Sequence, residues 1–310
     1  MTRWTANDIP DQSGRTAIVT GANSGLGLET AAALAAHGAV VVMAARNTER
    51  LQSALAEVRR RHPGAIVQAT IVDLAVLSSV REAAASILAD HATIDLLIDN
   101  AGVMAIPRAE TVDNFEMQFA TNYLGHFALT GLLLPAMIST PGSRVVAITS
   151  LARHVGRIDF SDLHGRARYG RWTAYGQSKL ADLIFAIELD RRLRRAKADT
   201  IAVAAHPGYA ATNLQTGSNW IRNTYYAIGN TLFAQSAYAG AWPQLYAATA
   251  EGVHGGELYG PGQPGGTRGH PKRDRIEARA LDPATGRRLW EVSVEATGVE
   301  YGILATGGSA

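Results

Sequence analysis

The chain has no cysteine among its 310 residues. That excludes disulfides, thiolate metal sites and a cysteine nucleophile, and it fits a reducing compartment. An excess of one charge is missing too: 29 Lys and Arg face 27 Asp and Glu, a net charge of +2. So even a balance gives no electrostatic reason to expect a nucleic-acid partner. No apolar run is long enough to span a bilayer. The first fifteen residues are polar and include Asp8, Pro10, Asp11 and Gly14, so neither a signal peptide nor an anchor is expected there. A soluble, cytoplasmic protein with no membrane partner follows as the expectation. Internal repeats and long linkers are absent as well, which favours a single domain over residues 1–310.

What is present is an alternation of apolar, β-branched runs with helix-favouring segments. Strands are expected at 16–20, 40–44, 65–72, 94–98, 144–149 and 200–205, with a short last one at 258–259. Helices are expected at 28–37, 48–61, 77–90, 111–138, from Tyr175 through the basic run at 191–195, at 237–250 and at 284–297. Residues 151–172 read as a loop. Strand–helix alternation of this kind predicts an α/β fold with one doubly wound parallel sheet between two helical layers, a three-layer α/β/α Rossmann arrangement.

The first strand runs directly into Gly21-Ala22-Asn23-Ser24-Gly25-Leu26-Gly27, and an alanine-rich helix follows. Strand, glycine turn and helix in that order suit a dinucleotide, whose pyrophosphate would sit at the helix N-terminus. The second strand ends at Arg46-Asn47, where an NAD site would place an acidic residue for the ribose. In an open parallel sheet the carboxyl ends of the strands line the ligand crevice. Asp73-Leu74 and Asn100-Ala101-Gly102 stand at such ends and are candidate contacts. Downstream, Tyr175-Gly176-Gln177-Ser178-Lys179 would stack Tyr175 and Lys179 one helical turn apart on one face. An ammonium that close to a phenol favours loss of the phenolic proton, so this tyrosine can exchange a proton with an alcohol or carbonyl oxygen.

Together these motifs resemble the short-chain dehydrogenase/reductase family, and within it the retinol-dehydrogenase-like branch. The resemblance covers roughly residues 14–262 and rests on Thr20 to Gly27, Asp73, Asn100 to Gly102, Asn122, Ser150, Tyr175 to Lys179, and Pro207-Gly208. It implies a catalytic tetrad of Asn122, Ser150, Tyr175 and Lys179. In the family the serine binds the substrate oxygen and the tyrosine passes it a proton. The lysine assists the tyrosine and binds the nicotinamide ribose, and the asparagine holds a water that continues the proton path. Pro207 and Gly208 would border the cofactor, and the Thr212 hydroxyl would meet the nicotinamide carboxamide or the phosphate. The implied reaction interconverts an alcohol and a ketone or aldehyde with a nicotinamide cofactor. Because a guanidinium can pair with a 2′-phosphate, Arg46, helped by Ser24 and Asn47, points to NADP(H) rather than NAD(H).

An aromatic segment over 208–236 suits a lid on a lipophilic small-molecule substrate, and equally a subunit contact or plain core, leaving 263–310 as a C-terminal extension. The family usually forms homodimers or homotetramers. Asp99 stands where it usually has asparagine, which would add a charge near the nucleotide. The alternative to an enzyme is a catalytically silent dinucleotide-sensing regulator on the same fold, which would not need Ser150, Tyr175 and Lys179.

Overall fold

The computed structural model describes residues 3–208 and 236–304. Eight strands form one sheet in the order β3-β2-β1-β4-β5-β6-β7-β8. They are β1 (Thr16–Thr20), β2 (Val40–Ala45), β3 (Val67–Ile71), β4 (Leu96–Asp99), β5 (Arg144–Ile148), β6 (Ile201–Ala205), β7 (Leu258–Pro261) and β8 (Pro271–Arg273). All neighbours pair in parallel except β7 and β8, which are antiparallel. The strand order reverses between β1 and β4, and the crevice at that switch is where such sheets bind ligands.

The central strands are buried on both faces, because successive side chains point to opposite sides. Ile18, Val42, Leu97 and Val145 face one apolar core; Val19, Met43, Ile98 and Val146 face the other. The second core is covered by α1 (Gly25–Ala36) and α2 (Thr48–Arg61), and the first by α3 (Leu77–Asp90), α5 (Gly125–Ile138) and α6 (Arg171–Arg195). No helix among the described residues is long and apolar enough to cross a membrane.

Three expectations need correction. Residues 111–138 are not one helix. The backbone first makes a tight turn, with Thr111 N donating to the Phe115 carbonyl and Asn114 at φ +64°. Helix begins only at α4 (Met117–Phe119), and a π-helical stretch at Ala120–Leu124 joins it to α5. The 151–172 loop is shorter than expected, with a 3-10 turn at Leu151–Val155 and α6 starting at Arg171. Residues 258–259 do form a strand, the start of β7, but it is not the last, since β8 pairs antiparallel onto β7 and takes the sheet edge.

The C-terminal stretch packs onto the first core. In the helix Pro283–Thr297, Trp290 is buried, with its ring 5.1 Å from Phe127, 6.1 Å from Phe185 and 4.4 Å from Tyr301. The Arg192 guanidinium lies 4.2 Å over the same indole. Trp290→Ala should therefore cost about 3–5 kcal/mol, the range for emptying a large aromatic site. Urea unfolding of parent and variant checks this; a loss under about 1 kcal/mol would mean the helix is only loosely attached.

Candidate active site

The glycine turn leaves β1 and enters α1 with little room to spare. A Cβ on Gly27 would stand 2.6 Å from the Asn100 Nδ2, and one on Gly21 2.9 Å from the Ala101 Cα. Gly21 and Gly25 also have positive φ, at +67° and +56°. Ser24 is the N-cap residue of α1, and its side chain caps none of the helix N–H groups. A bare helix N-terminus beside a glycine cradle fits a pyrophosphate. Asn23 and Leu26 lie in this turn, Leu26 buried.

Thr20 locks the cradle to β4. Its Oγ1 accepts the N–H groups of Asn100 and Ala101, each at 2.9 Å, while Asn100 Nδ2 donates to the Thr20 carbonyl at 2.7 Å. The same Oγ1 lies 2.8 Å from His126 Nε2, and His126 Nδ1 lies 2.8 Å from the Asn122 carbonyl. A carbonyl only accepts, so Nδ1 carries the proton and Thr20 donates to Nε2. Burial pushes the imidazole down to about 3 and keeps it neutral. This neutral relay joins Asn122 to the crevice beside the glycine turn.

Asn122 sits inside the π-helical stretch, a deviation frequently found at functional sites. Its side chain pairs with both the N–H and the carbonyl of Val103, at 2.7 and 3.0 Å. It also donates to Ser178 Oγ at 2.9 Å, which ties the Asn100–Gly102 segment to α6.

Lys179 is buried on α6, and its ammonium turns inward. Nζ donates to Asp182 Oδ2 and to the Ile148 carbonyl, each at 2.8 Å. A Cβ on Gly102 would stand 3.7 Å from the same Nζ. Burial works against the charge, but Asp182 first, then Tyr175, outweigh it and hold the lysine above its ordinary value. Burial also pushes Asp182 up to about 6, against the pull of the ammonium.

Ser150 follows β5, where its Oγ accepts the Ala152 N–H at 3.2 Å. Thr149 Oγ1 donates to the Lys179 carbonyl at 2.5 Å. The Ser150 turn meets α6 through two glycines: a Cβ on Gly156 would overlap the Gly176 carbonyl, and one on Gly176 would stand 2.8 Å from the Ala152 carbonyl. Tyr175 is buried beside this contact, its ring edge-on to Trp172 at 6.1 Å. The fold thus gathers the elements carrying Asn122, Ser150, Tyr175 and Lys179 at the carboxyl ends of β4 and β5.

The remaining candidates are spread around the crevice. Arg46 is exposed at the end of β2, and none of the hydrogen bonds or ion pairs among the described residues involves its side chain. Asn47 Oδ1 accepts the Arg50 N–H at 2.8 Å and caps α2, leaving its amide nitrogen as a donor. Asp73 Oδ1 accepts the Ala75 N–H at 3.0 Å, so it makes its own turn after β3. Leu74 packs under Gly125, where a Cβ would collide with the Leu74 carbonyl. Pro207 and Gly208 follow β6, with Gly208 at φ +69°. Thr212 and residues 209–235 of the expected lid lie outside the described residues.

Asp99 does not put a charge beside the nucleotide. Its Oδ2 accepts from Thr130 Oγ1 at 3.0 Å inside the first core, and Oδ1 has no partner. Burial, with Asp182 nearby, raises this carboxyl well above its ordinary value, so the neutral acid is favoured. An apolar groove of about 400 Å³ between Phe119, Leu163 and Val292 is lined by none of the tetrad residues. Asp182 and His126 escaped the sequence reading, although each follows a tetrad residue at helical spacing, three or four positions on.

A family model described as short chain dehydrogenase matches residues 15–220. Polyprenol dehydrogenase of Mus musculus is 40% identical over 302 residues, spanning 95% of this chain and 87% of that protein. Retinol dehydrogenase 13 of Homo sapiens is 39% identical over 292 residues, spanning 93% and 86%. The crystal structure of an uncharacterized protein from Mycobacterium paratuberculosis has 42% identity and a TM-score of 0.80, over 97% of this chain and 99% of that one.

The raised Asp99 carboxyl has a consequence for stability. The native state holds this proton more tightly than the unfolded chain, so the contribution is fully present below about pH 4 and is lost as pH rises. Asp99→Asn keeps an acceptor for Thr130 and cannot ionise. Its Tm should match the parent's near about pH 4 and exceed it increasingly toward about pH 8. Thermal unfolding across that range decides the matter, and a difference that does not widen with pH contradicts the assignment.

Proposed function

The chain belongs to the short-chain dehydrogenase/reductase family, in its retinol-dehydrogenase-like branch, and on that premise we propose that it interconverts a lipophilic alcohol and its aldehyde or ketone, with NADP(H) as the cofactor. The observation that carries this reading is the buried Lys179 ammonium, held beside Gly102 and one helical turn from Tyr175. A silent binding module has no need to keep a cation out of water at that point. When bound, the cofactor supplies or accepts the hydride.

The residues then take these parts. Ser150 Oγ hydrogen-bonds the substrate oxygen, and the Tyr175 hydroxyl gives it a proton in reduction or takes one in oxidation. Lys179 spends two N–H groups on Asp182 and Ile148, and its third is left for the nicotinamide ribose. The Asn122 carbonyl has one lone pair occupied by His126, and the other can hold a water on the proton path. Gly21, Gly25, Gly27 and Ser24 receive the pyrophosphate, and Asp73, Asn100 and Ala101 border the adenosine side. The lipophilic substrate is supported by the kinship with a polyprenol dehydrogenase and a retinol dehydrogenase. We read the chain as one domain in which 263–310 packs against the 14–262 core.

Tyr175→Phe should bind NADPH as the parent does and lose roughly 10²–10⁴-fold in turnover. All-trans-retinal reduction and fluorescence titration with NADPH measure the two quantities. Near-parent turnover in the variant would remove Tyr175 from the proton path.

The choice of NADP(H) rests on the exposed Arg46 guanidinium at the end of β2, which has no hydrogen-bond or ion-pair partner among the described residues. A hydrogen bond to a charged group is worth about 1.5–3 kcal/mol, which is roughly tenfold to over a hundredfold in affinity. NADPH should therefore bind at least about tenfold tighter than NADH. Arg46→Asp should reverse the order, since it replaces an attraction with a repulsion. Equal affinities in the parent would mean that Arg46 does not read the 2′-phosphate.

A further inference from the structure

We propose that the segment after β7 is a working part of the site, with Asp274 as the positioning residue that holds the Ser150 turn and the Pro207-Gly208 corner together. The proposal rests on reading those two places as the substrate and nicotinamide sides of the crevice. Asp274 lies directly after β8, more than a hundred residues from Ser150 in the chain.

The link to Ser150 is Arg153, whose guanidinium is buried with the side chain 1% exposed. Its Nη1 donates to the Ser150 carbonyl at 3.2 Å, and its backbone N–H donates to the same oxygen at 3.0 Å. On the other side the guanidinium meets Asp274 Oδ2 at 3.4 Å and Glu277 Oε1 at 3.2 Å. A cation this deeply buried persists only with anions beside it, and both anions come from the C-terminal segment. Arg279 closes the same turn from outside. It donates to the carbonyls of Gly156 at 2.7 Å and of Arg153 and His154 at 2.8 Å.

The link to Pro207-Gly208 is His206, which is fully buried. Its Nδ1 accepts the Gly208 N–H at 3.2 Å, so the ring proton sits on Nε2, which donates to Asp274 Oδ2 at 2.8 Å. Burial lowers the imidazole below its ordinary value in spite of Asp274. The hydrogen bond from His206, ahead of the Arg153 charge, brings Asp274 down to about 2. One carboxylate oxygen thus receives both links. The packing is close around the His206 link: a Cβ on Gly260 would overlap the His206 imidazole, and one on Gly208 would overlap the Thr267 carbonyl.

A clamp that merely stabilises the fold would show the same contacts, so the test must separate stability from position. Asp274→Ala removes both links, and Asp274→Asn keeps the acceptor for His206 while removing the charge facing Arg153. Both are made in the full chain, alone and with Ser150→Ala. Amide hydrogen exchange should accelerate roughly tenfold or more over residues 150–156 in Asp274→Ala, and less in Asp274→Asn. Protection in β1, β2 and β4 should stay at the parent level. With NADPH and all-trans-retinal, kcat should fall roughly tenfold or more while NADPH affinity is kept. In the Ser150→Ala background the same change should cost little more, as expected for residues acting through one another.

Unchanged exchange over 150–156 overturns the proposal, as does acceleration spread evenly over the sheet. A kcat loss that persists in full beside Ser150→Ala also overturns it. If the parent fails to reduce retinal while binding NADPH, the substrate reading fails, and the exchange pattern alone decides the role of Asp274.

Discussion

A lysine ammonium taken out of water must be answered by an anion or by enough acceptors to replace its hydration. In this chain that requirement brings four elements to one point. Lys179 reaches from α6 to the last carbonyl of β5 at Ile148, and to Asp182 one turn further along its own helix. Gly102, after β4, lies close by: a Cβ built there would stand 3.7 Å from the same Nζ and 3.1 Å from the Asn122 Oδ1. Asn122, from the π-helical stretch, pins that segment to Ser178, next to the lysine. Moving any of these elements would leave a charge or a polar group without its partner.

Around the charged centre the polar contacts are neutral and directional. Asn122, His126 and Thr20 form a relay in which each donor and acceptor is fixed by the next, ending on the N–H groups of Asn100 and Ala101. Such a relay costs little desolvation and allows only one arrangement. The crevice between β1 and β4 is therefore held by hydrogen bonds within the chain itself. Asp99, one residue from Asn100, takes no part in it; β4 turns its carboxyl to the opposite face, into the core under α5.

The C-terminal residues join the site through the second face of the same crevice. Arg153 needs an anion and the neutral His206 an acceptor, and Asp274, directly after β8, stands between them. The aromatic contacts of Trp290 and Tyr301 with Phe127 hold the following helix against α5. Local chemistry and bulk packing thus attach the same stretch at two separate places.

The sequence by itself determined what depends on near neighbours. Strand and helix order follow from apolar periodicity, the glycine turn from positions where a Cβ does not fit, and the Tyr175–Lys179 pairing from helical spacing. These are legible because the interacting residues lie within a few positions of one another. The tertiary structure alone decided the break of the 111–138 helix, the inward turn of Asp99 and the pairing of Arg153 with Asp274. Each of those depends on groups that are distant in the chain and meet only when the sheet is assembled. Their signal is the unmet charge or hydrogen bond of a buried group, and burial is a property of the fold rather than of the residue.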